Sequence, residues 1–262
     1  MTRRRIRADR LLVARGQCES GAAARALILA GCVYQGETRI TKAGTLLPDD
    51  TELHVRRPPH PWVSRGGIKL AHALDHFQLD PTGAVAIDVG ASTGGFTDVL
   101  LQRGARRVYA VDVGYGQLAW KLRTDPRVTV LDRTNARYLQ SRHVPETVDL
   151  VVCDASFISL AKVLPAPLAL THTGALLVAL IKPQFEVGRA DVGKGGIVRD
   201  AAARARAVDG VVQFLADQPD WRVLGQTESP IYGADGNRES LVAAIRSASR
   251  PAAARAPRDP TG

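Results

Sequence analysis

The stretch Val85-Ala-Ile-Asp-Val-Gly-Ala-Ser-Thr-Gly-Gly-Phe96 constrains the architecture of this chain more than any other. An apolar run ends in an acid, breaks into small residues and two glycines, and becomes helical again. A buried parallel strand turns in this way into a helix at the edge of a nucleotide site, where glycine lets the backbone approach a ligand. The spacing is neither Gly-x-Gly-x-x-Gly nor Gly-x-x-x-x-Gly-Lys-Ser, so a dinucleotide fingerprint and a phosphate loop are both unmet. An adenosine ligand without phosphates fits better, and S-adenosylmethionine is one. The competing reading is that such glycines serve only tight packing.

The chain of 262 residues suits a large and a small domain. It has no apolar run of about 18 residues, so a spanning helix is not expected. No apolar signal core follows the basic start. Cys18, Cys32 and Cys153 are isolated and lack metal-ligand spacing. They read as reduced thiols of a cytoplasmic protein. Formal net charge is +9, and residues 1–57 hold eleven Lys or Arg against six Asp or Glu. Clustering of this kind points to a polyanion such as nucleic acid. Arginine outnumbers lysine 29 to 6, so each lysine is informative: Lys42, Lys69, Lys121, Lys162, Lys182 and Lys194.

Helical periodicity over 8–15 and 20–30 is followed by short extended pieces near Val33, Arg39 to Ile40 and Thr51 to Val55. This makes a compact basic unit, residues 1–57. Pro58, Pro59 and Pro61 predict an extended linker over 58–63. A helix from Gly67 to Phe77 opens a second unit, 64–249. Strands are expected near 84–89, 107–112, 127–131, 148–153 and 175–181, with helices between most of them. That alternation predicts a parallel sheet with helices on both faces. Segments 221–228 and 240–245 would close it. The Ala, Pro and Arg-rich tail, 250–262, reads as disordered.

Ligands of an open parallel sheet sit beyond the carboxyl ends of its strands. Those ends carry Asp88, Asp112, Asp132, Asp154 and Lys182 in turn. A capping group explains any one of them, but five in succession do not suit that reading. Asp112 could accept both ribose hydroxyls of a nucleoside. Asp132 could accept from an adenine amino group or cap a helix before Thr134. Asp154 would lie between cofactor and substrate. Lys182 would face the same cleft as a base, provided its proton affinity is lowered. Lys69 is either a second cation there or a surface lysine. Phe157 is either core or a stacking platform for an extruded base. Trp62 reads as interdomain packing. His72 and His76 lie four apart, but nothing completes a metal site.

These residues also form familiar sets. Arg10-Leu-Leu-Val13, Ser20, Leu27-Ile28-x-x-Gly31 and Val33-x-x-Gly36 resemble the alpha-L RNA-binding module. Val63-Ser-Arg-Gly-Gly-Ile-Lys-Leu70, the glycine-rich run, Asp154-Ala-Ser-Phe157, Lys182-Pro-Gln-Phe-Glu186 and Gly236-Asn-x-Glu239 resemble the TlyA family, which is similar to FtsJ-type ribose 2′-O-methyltransferases. The resemblance spans residues 4 to about 246. It implies S-adenosylmethionine-dependent methylation of cytidine ribose in ribosomal RNA. It also implies a Lys-Asp-Lys-Glu tetrad, here Lys69, Asp154, Lys182 and Glu239; spacing alone does not single out Glu239. Gly21 and Ala23 stand where the module usually carries basic residues, with Arg25 one turn away.

The expected fold is α/β: a Rossmann-like S-adenosylmethionine-dependent methyltransferase sheet behind a small α+β alpha-L RNA-binding domain. Expected cofactor contacts are Asp88, Gly90, Ala91, Ser92, Gly94, Gly95, Phe96, Asp112 and Asp132. Expected RNA contacts are Arg3, Arg4, Arg5, Arg7, Arg10, Arg25, Lys42, Arg65 and Phe157. The expected partners are ribosomal RNA or ribosomal subunits, with no metal and no membrane, and the chain is expected to act as a monomer. The alternatives are a non-catalytic ribosome-assembly factor and a membrane-lytic haemolysin.

Overall fold

The computed structural model describes residues 5–29, 31–56, 60–233 and 235–247. Arg3, Arg4, Pro58 and Pro59 of the expected linker, and the tail from 250 to 262 lie outside the described residues. The chain divides into two units, 1–61 and 62–262.

In the first unit, β1 (Arg5–Arg7) leads into α1 (Ala8–Ala14) and α2 (Gly21–Leu29). Four short strands follow: β2 (Val33–Gln35), β3 (Thr38–Arg39), β4 (Leu46–Pro48) and β5 (His54–Val55). β1 pairs antiparallel with β4, and β2 lies between β3 and β5. Leu11, Leu12, Ile28, Val33, Leu47 and Leu53 close one small core. Two differences from expectation share a cause. β1 alternates exposed arginines about Ile6, which hides a strand three residues long. Its partner β4 contains Pro48, which reads as a turn. The expected strand at Thr51 begins only at His54, because Thr51 N–H closes the turn onto Pro48 O at 3.0 Å.

The second unit opens with α3 (Gly66–His76), β6 (Val85–Val89), α4 (Gly95–Gln102), β7 (Arg107–Val111), α5 (Trp120–Arg123) and β8 (Val128–Leu131). It continues with β9 (Val148–Cys153), α6 (Leu160–Val163), α7 (Pro165–Ala169), β10 (Thr171–Ile181), α8 (Pro183–Glu186), α9 (Ala201–Ala216), β11 (Trp221–Glu228) and β12 (Ser240–Arg246). The sheet order is β11-β12-β10-β9-β6-β7-β8. β6 to β10 run parallel, and β12 runs antiparallel to both its neighbours. The sheet therefore corrects the all-parallel expectation by one inserted strand. Strand order reverses between β6 and β9, and crevices open at such a point.

Alternation along β6 sends Val85, Ile87 and Val89 to the face covered by α6, α7 and α9. Ala86 and its neighbours face α3 and α4. Asp88 shares that second direction, and its partner is accordingly Thr97 on α4. Trp62 packs onto Gly67 within this same unit: a Cβ at Gly67 would strike the indole.

Candidate active site

The glycine turn after β6 is built for close approach. Gly90 sits at φ +82°, and an added Cβ would come within 2.9 Å of the Ala155 Cα after β9. Gly94 sits at φ +95° and packs on Leu118 and Leu122. An L side chain at either position would be strained twice, by conformation and by contact. Gly95 fits directly beneath Ser64, so the start of α4 and the start of α3 meet backbone to backbone. Ala91 and Phe96 are buried in the walls of this turn.

The acids beside the turn are already partly engaged. The Asp112 carboxylate accepts from Ser92 N–H at 2.8 Å and Gly114 N–H at 2.7 Å. Asp132 accepts from Gly116 N–H at 3.2 Å and pairs with the Arg123 guanidinium. It caps no helix: the turn at Ala136–Tyr138 is capped by Asn135, which overturns that alternative for Asp132.

Asp88 is fully buried. One oxygen accepts from Thr97 N–H at 3.0 Å and Thr97 Oγ1 at 2.7 Å, while Oδ1 has no partner. Desolvation pushes this carboxyl up to about 7 against the Thr97 hydrogen bonds, and the charges of Asp154 and Asp112 push it the same way. A buried acceptor without a donor beside a backbone cradle fits a ligand that brings its own cation or N–H.

Two lysine–carboxylate pairs stand at the carboxyl edge of the central strands. Asp154 follows β9, and Lys182 follows β10. In the antiparallel register, Ile181 opposes Ser240, so Lys182 and Glu239 occupy the next step. Lys182 Nζ lies 2.7 Å from Asp154 Oδ1. That contact is ionic without hydrogen-bond direction, since no donor aims a hydrogen at Oδ1. The lysine's directed bonds go to Asp154 O at 3.0 Å and Ser156 Oγ at 2.7 Å. Lys69, on α3, is buried and donates to Glu239 Oε2 at 2.5 Å. A buried ion pair offsets its desolvation only when both partners remain. The two pairs adjoin: the Cβ position of Gly66, one turn before Lys69, is 3.7 Å from Asp154 Oδ2. Lys69 is thus not a surface lysine.

Phe157 is not core. Its ring is 90% exposed, it takes φ +64°, and it leans on Phe185 with centroids 5.1 Å apart. Below that ring pair, Leu160 N–H donates to Glu186 at 2.8 Å, tying the turns that carry Asp154 and Lys182.

Sequence reasoning missed Ser156, Thr97 and Asp98. Asp98 is buried and accepts from Val63 N–H at 2.8 Å and Lys121 Nζ at 2.9 Å. Scarcity of lysine was the available signal for Lys121; Ser156 and Thr97 carried none. Among the expected RNA contacts, Arg5, Arg10, Arg25 and Lys42 are exposed. Arg7 is held by Asp9 through two bonds, of 3.0 and 2.8 Å, and Arg65 donates to Tyr232 O at 2.8 Å. Among the described residues, no group of His, Cys, Asp or Glu could hold a metal, and no helix is long and apolar enough to cross a membrane.

A glycine turn flanked by Asp88 and Asp112, at the reversal point of this sheet, suits a nucleoside ligand, and the class is that of S-adenosylmethionine-dependent methyltransferases. The FtsJ-like methyltransferase model matches residues 62–246. The chain is 50% identical over 237 residues to the 16S/23S rRNA (cytidine-2′-O)-methyltransferase TlyA of Mycobacterium tuberculosis, across 90% of this chain and 88% of that protein. It is 46% identical over 246 residues to a Bacillus subtilis protein described as the rRNA methyltransferase YqxC, across 92% and 86%. A solved structure described as a hemolysin of Streptococcus thermophilus superposes with TM-score 0.70 at 39% identity, across 95% and 90%. This chain belongs to the FtsJ-like methyltransferase family, in its TlyA branch.

Proposed function

We propose that this enzyme methylates the ribose 2′-hydroxyl of a cytidine in ribosomal RNA. The observation that carries the reading is the adjoining of two lysine–carboxylate pairs at the edge where the cofactor turn ends. A ribose hydroxyl must lose a proton as its oxygen is alkylated, and a lysine paired to a carboxylate can handle that proton.

S-adenosylmethionine, when bound, supplies an electrophilic methyl on a cationic sulfur. Asp112 would accept from its ribose, the Asp88 Oδ1 acceptor suits its ammonium, and the amides of the glycine turn line its path. Lys182 would take the hydroxyl proton after losing one of its own to solvent, and Asp154 Oδ1, 2.7 Å from Nζ, would hold the ammonium that forms. Lys69 and Glu239 keep charge balanced behind that pair. No metal enters this scheme. Alignment of oxygen, carbon and sulfur would lower the barrier further.

Phe157 would stack the extruded base. Its left-handed backbone is a costly conformation for a bulky residue, and an exposed ring held there at a site edge supports a binding role. Residues 1–57 would form the RNA-binding module. Arg5, Arg10, Arg25 and Lys42 would meet phosphates, Arg7 would act through Asp9, and the enzyme would work as a cytoplasmic monomer.

The test is transfer of labelled methyl to ribosomal RNA fragments, followed by mass spectrometry of the product nucleosides. Label on the ribose, abolished when the target is replaced by its 2′-deoxy form, supports the reading. Label on the base refutes it.

A further inference from the structure

The α9 side of the carboxyl edge opens into a cavity of about 430 Å³ that the methyl-transfer scheme does not use. Its inner wall includes Ile181 and Pro183, the residues on either side of Lys182, together with Glu239. It therefore adjoins the tetrad. Its size falls within the range of about 300–1,000 Å³ typical of sites for small organic groups.

The lining has two characters. Pro183 and Val208 offer apolar surface. Around it stand two cations, Arg204 and Arg238, and two acids, Asp209 and Glu228. Arg204 is anchored through Nη1, which donates to the carbonyls of Val198 at 3.2 Å and Arg199 at 2.6 Å. Arg238 stands 5.8 Å from the Tyr232 ring centroid. Asp209 and Glu228 are exposed and have no hydrogen bond or ion pair among the described residues.

A pocket for a simple anion gains nothing from two free carboxylates, and a pocket for a cation gains nothing from two arginines. A nucleotide suits both. Its phosphate meets guanidinium, its base donates amino and imino hydrogens to carboxylate, and its ring covers apolar surface. We propose that this cavity is a subsite for a nucleotide flanking the methylated ribose on the RNA strand. The proposal rests on the RNA methylation reading above. It adds that guanine, whose N1–H and N2–H can donate side by side to one carboxylate, is preferred there.

The test uses full-length enzyme and a fluorescent RNA hairpin carrying the target, with single abasic substitutions at each flanking position. Binding is read by anisotropy, and KM and kcat by methyl transfer. For the wild type, one flanking abasic site is expected to weaken binding about tenfold. Ala205→Trp, which fills the cavity from α9, is expected to weaken intact RNA by a similar factor and to be indifferent to that abasic site. Its kcat at saturating RNA should stay within about twofold of wild type. Glu228→Gln and Arg238→Ala, both at exposed positions, carry the test if Ala205→Trp does not fold. Each should raise KM, and Arg238→Ala should also lower the salt slope by about 0.7. Variants that bind like wild type, or an abasic penalty unchanged in Ala205→Trp, would overturn the subsite. If the wild type puts no methyl on ribose, the methylation reading fails, while anisotropy still judges the cavity.

Discussion

At the scale of single residues, the site is an arrangement of charges that cannot be left alone. Lys182 has three oxygens around one ammonium, two accepting hydrogen bonds and one in ionic contact, all from the turn after β9. Lys182→Ala should abolish methyl transfer and leave RNA affinity nearly intact; single-turnover activity within about tenfold of wild type, about 1.4 kcal/mol of barrier, would remove it from the chemistry. Asp88 gives a prediction of unusual sign. Its folded value of about 7 lies above the ordinary carboxyl value, so the folded state holds an extra proton between the two. Stability from this group is full below about pH 4 and falls as pH rises through about 7, by at most roughly 4 kcal/mol. Asp88→Asn keeps an acceptor for Thr97 and should flatten that part of the curve. Urea unfolding at about pH 5 and about pH 8 for both proteins checks it, and equal pH dependence in the two would count against the buried acid.

At the scale of elements, the turn between β6 and α4 is held by what it lacks. Gly90→Ala would press a methyl toward the Ala155 backbone and force a left-handed alanine. It should cost about 1–3 kcal/mol of stability and weaken S-adenosylmethionine binding by at least about tenfold in isothermal titration. Unchanged affinity would mean that the turn tolerates a wider cradle than its packing suggests. This element was the most legible part of the sequence, because a five-residue buried strand ending in small residues has few other solutions. The long parallel strands were legible for the same reason. The short strands were not: β1 and β4 together bury little more than Ile6 and Leu47, too few positions for a period to show. Glu239 was visible only through family resemblance, because its partner Lys69 lies 170 positions away and no local pattern links them. Phe157 could not be assigned from spacing, since exposure is decided by the turn after β9 rather than by its apolar character.

At the scale of the whole molecule, the two units differ in charge. All expected cofactor and tetrad residues lie in 62–246, while the densest basic segment lies before residue 57. Removing residues 1–61 should weaken RNA binding and flatten its salt dependence, by about 0.7–0.9 in log–log slope for each phosphate that is no longer neutralised. Cofactor affinity should be unchanged, because the second unit has cores of its own. An unaltered slope would place the RNA-binding charge elsewhere. The insertion of β12 between β10 and β11 has a consequence for shortened chains. The last described strand slots into the sheet interior, and the residue just before it neutralises Lys69. A chain that lacks β12 leaves β11 without a partner strand, β10 open along one edge and, where Glu239 is lost with it, Lys69 without its counter-charge. Truncation ahead of Glu239 is therefore expected to remove activity altogether and not to leave a partly active product.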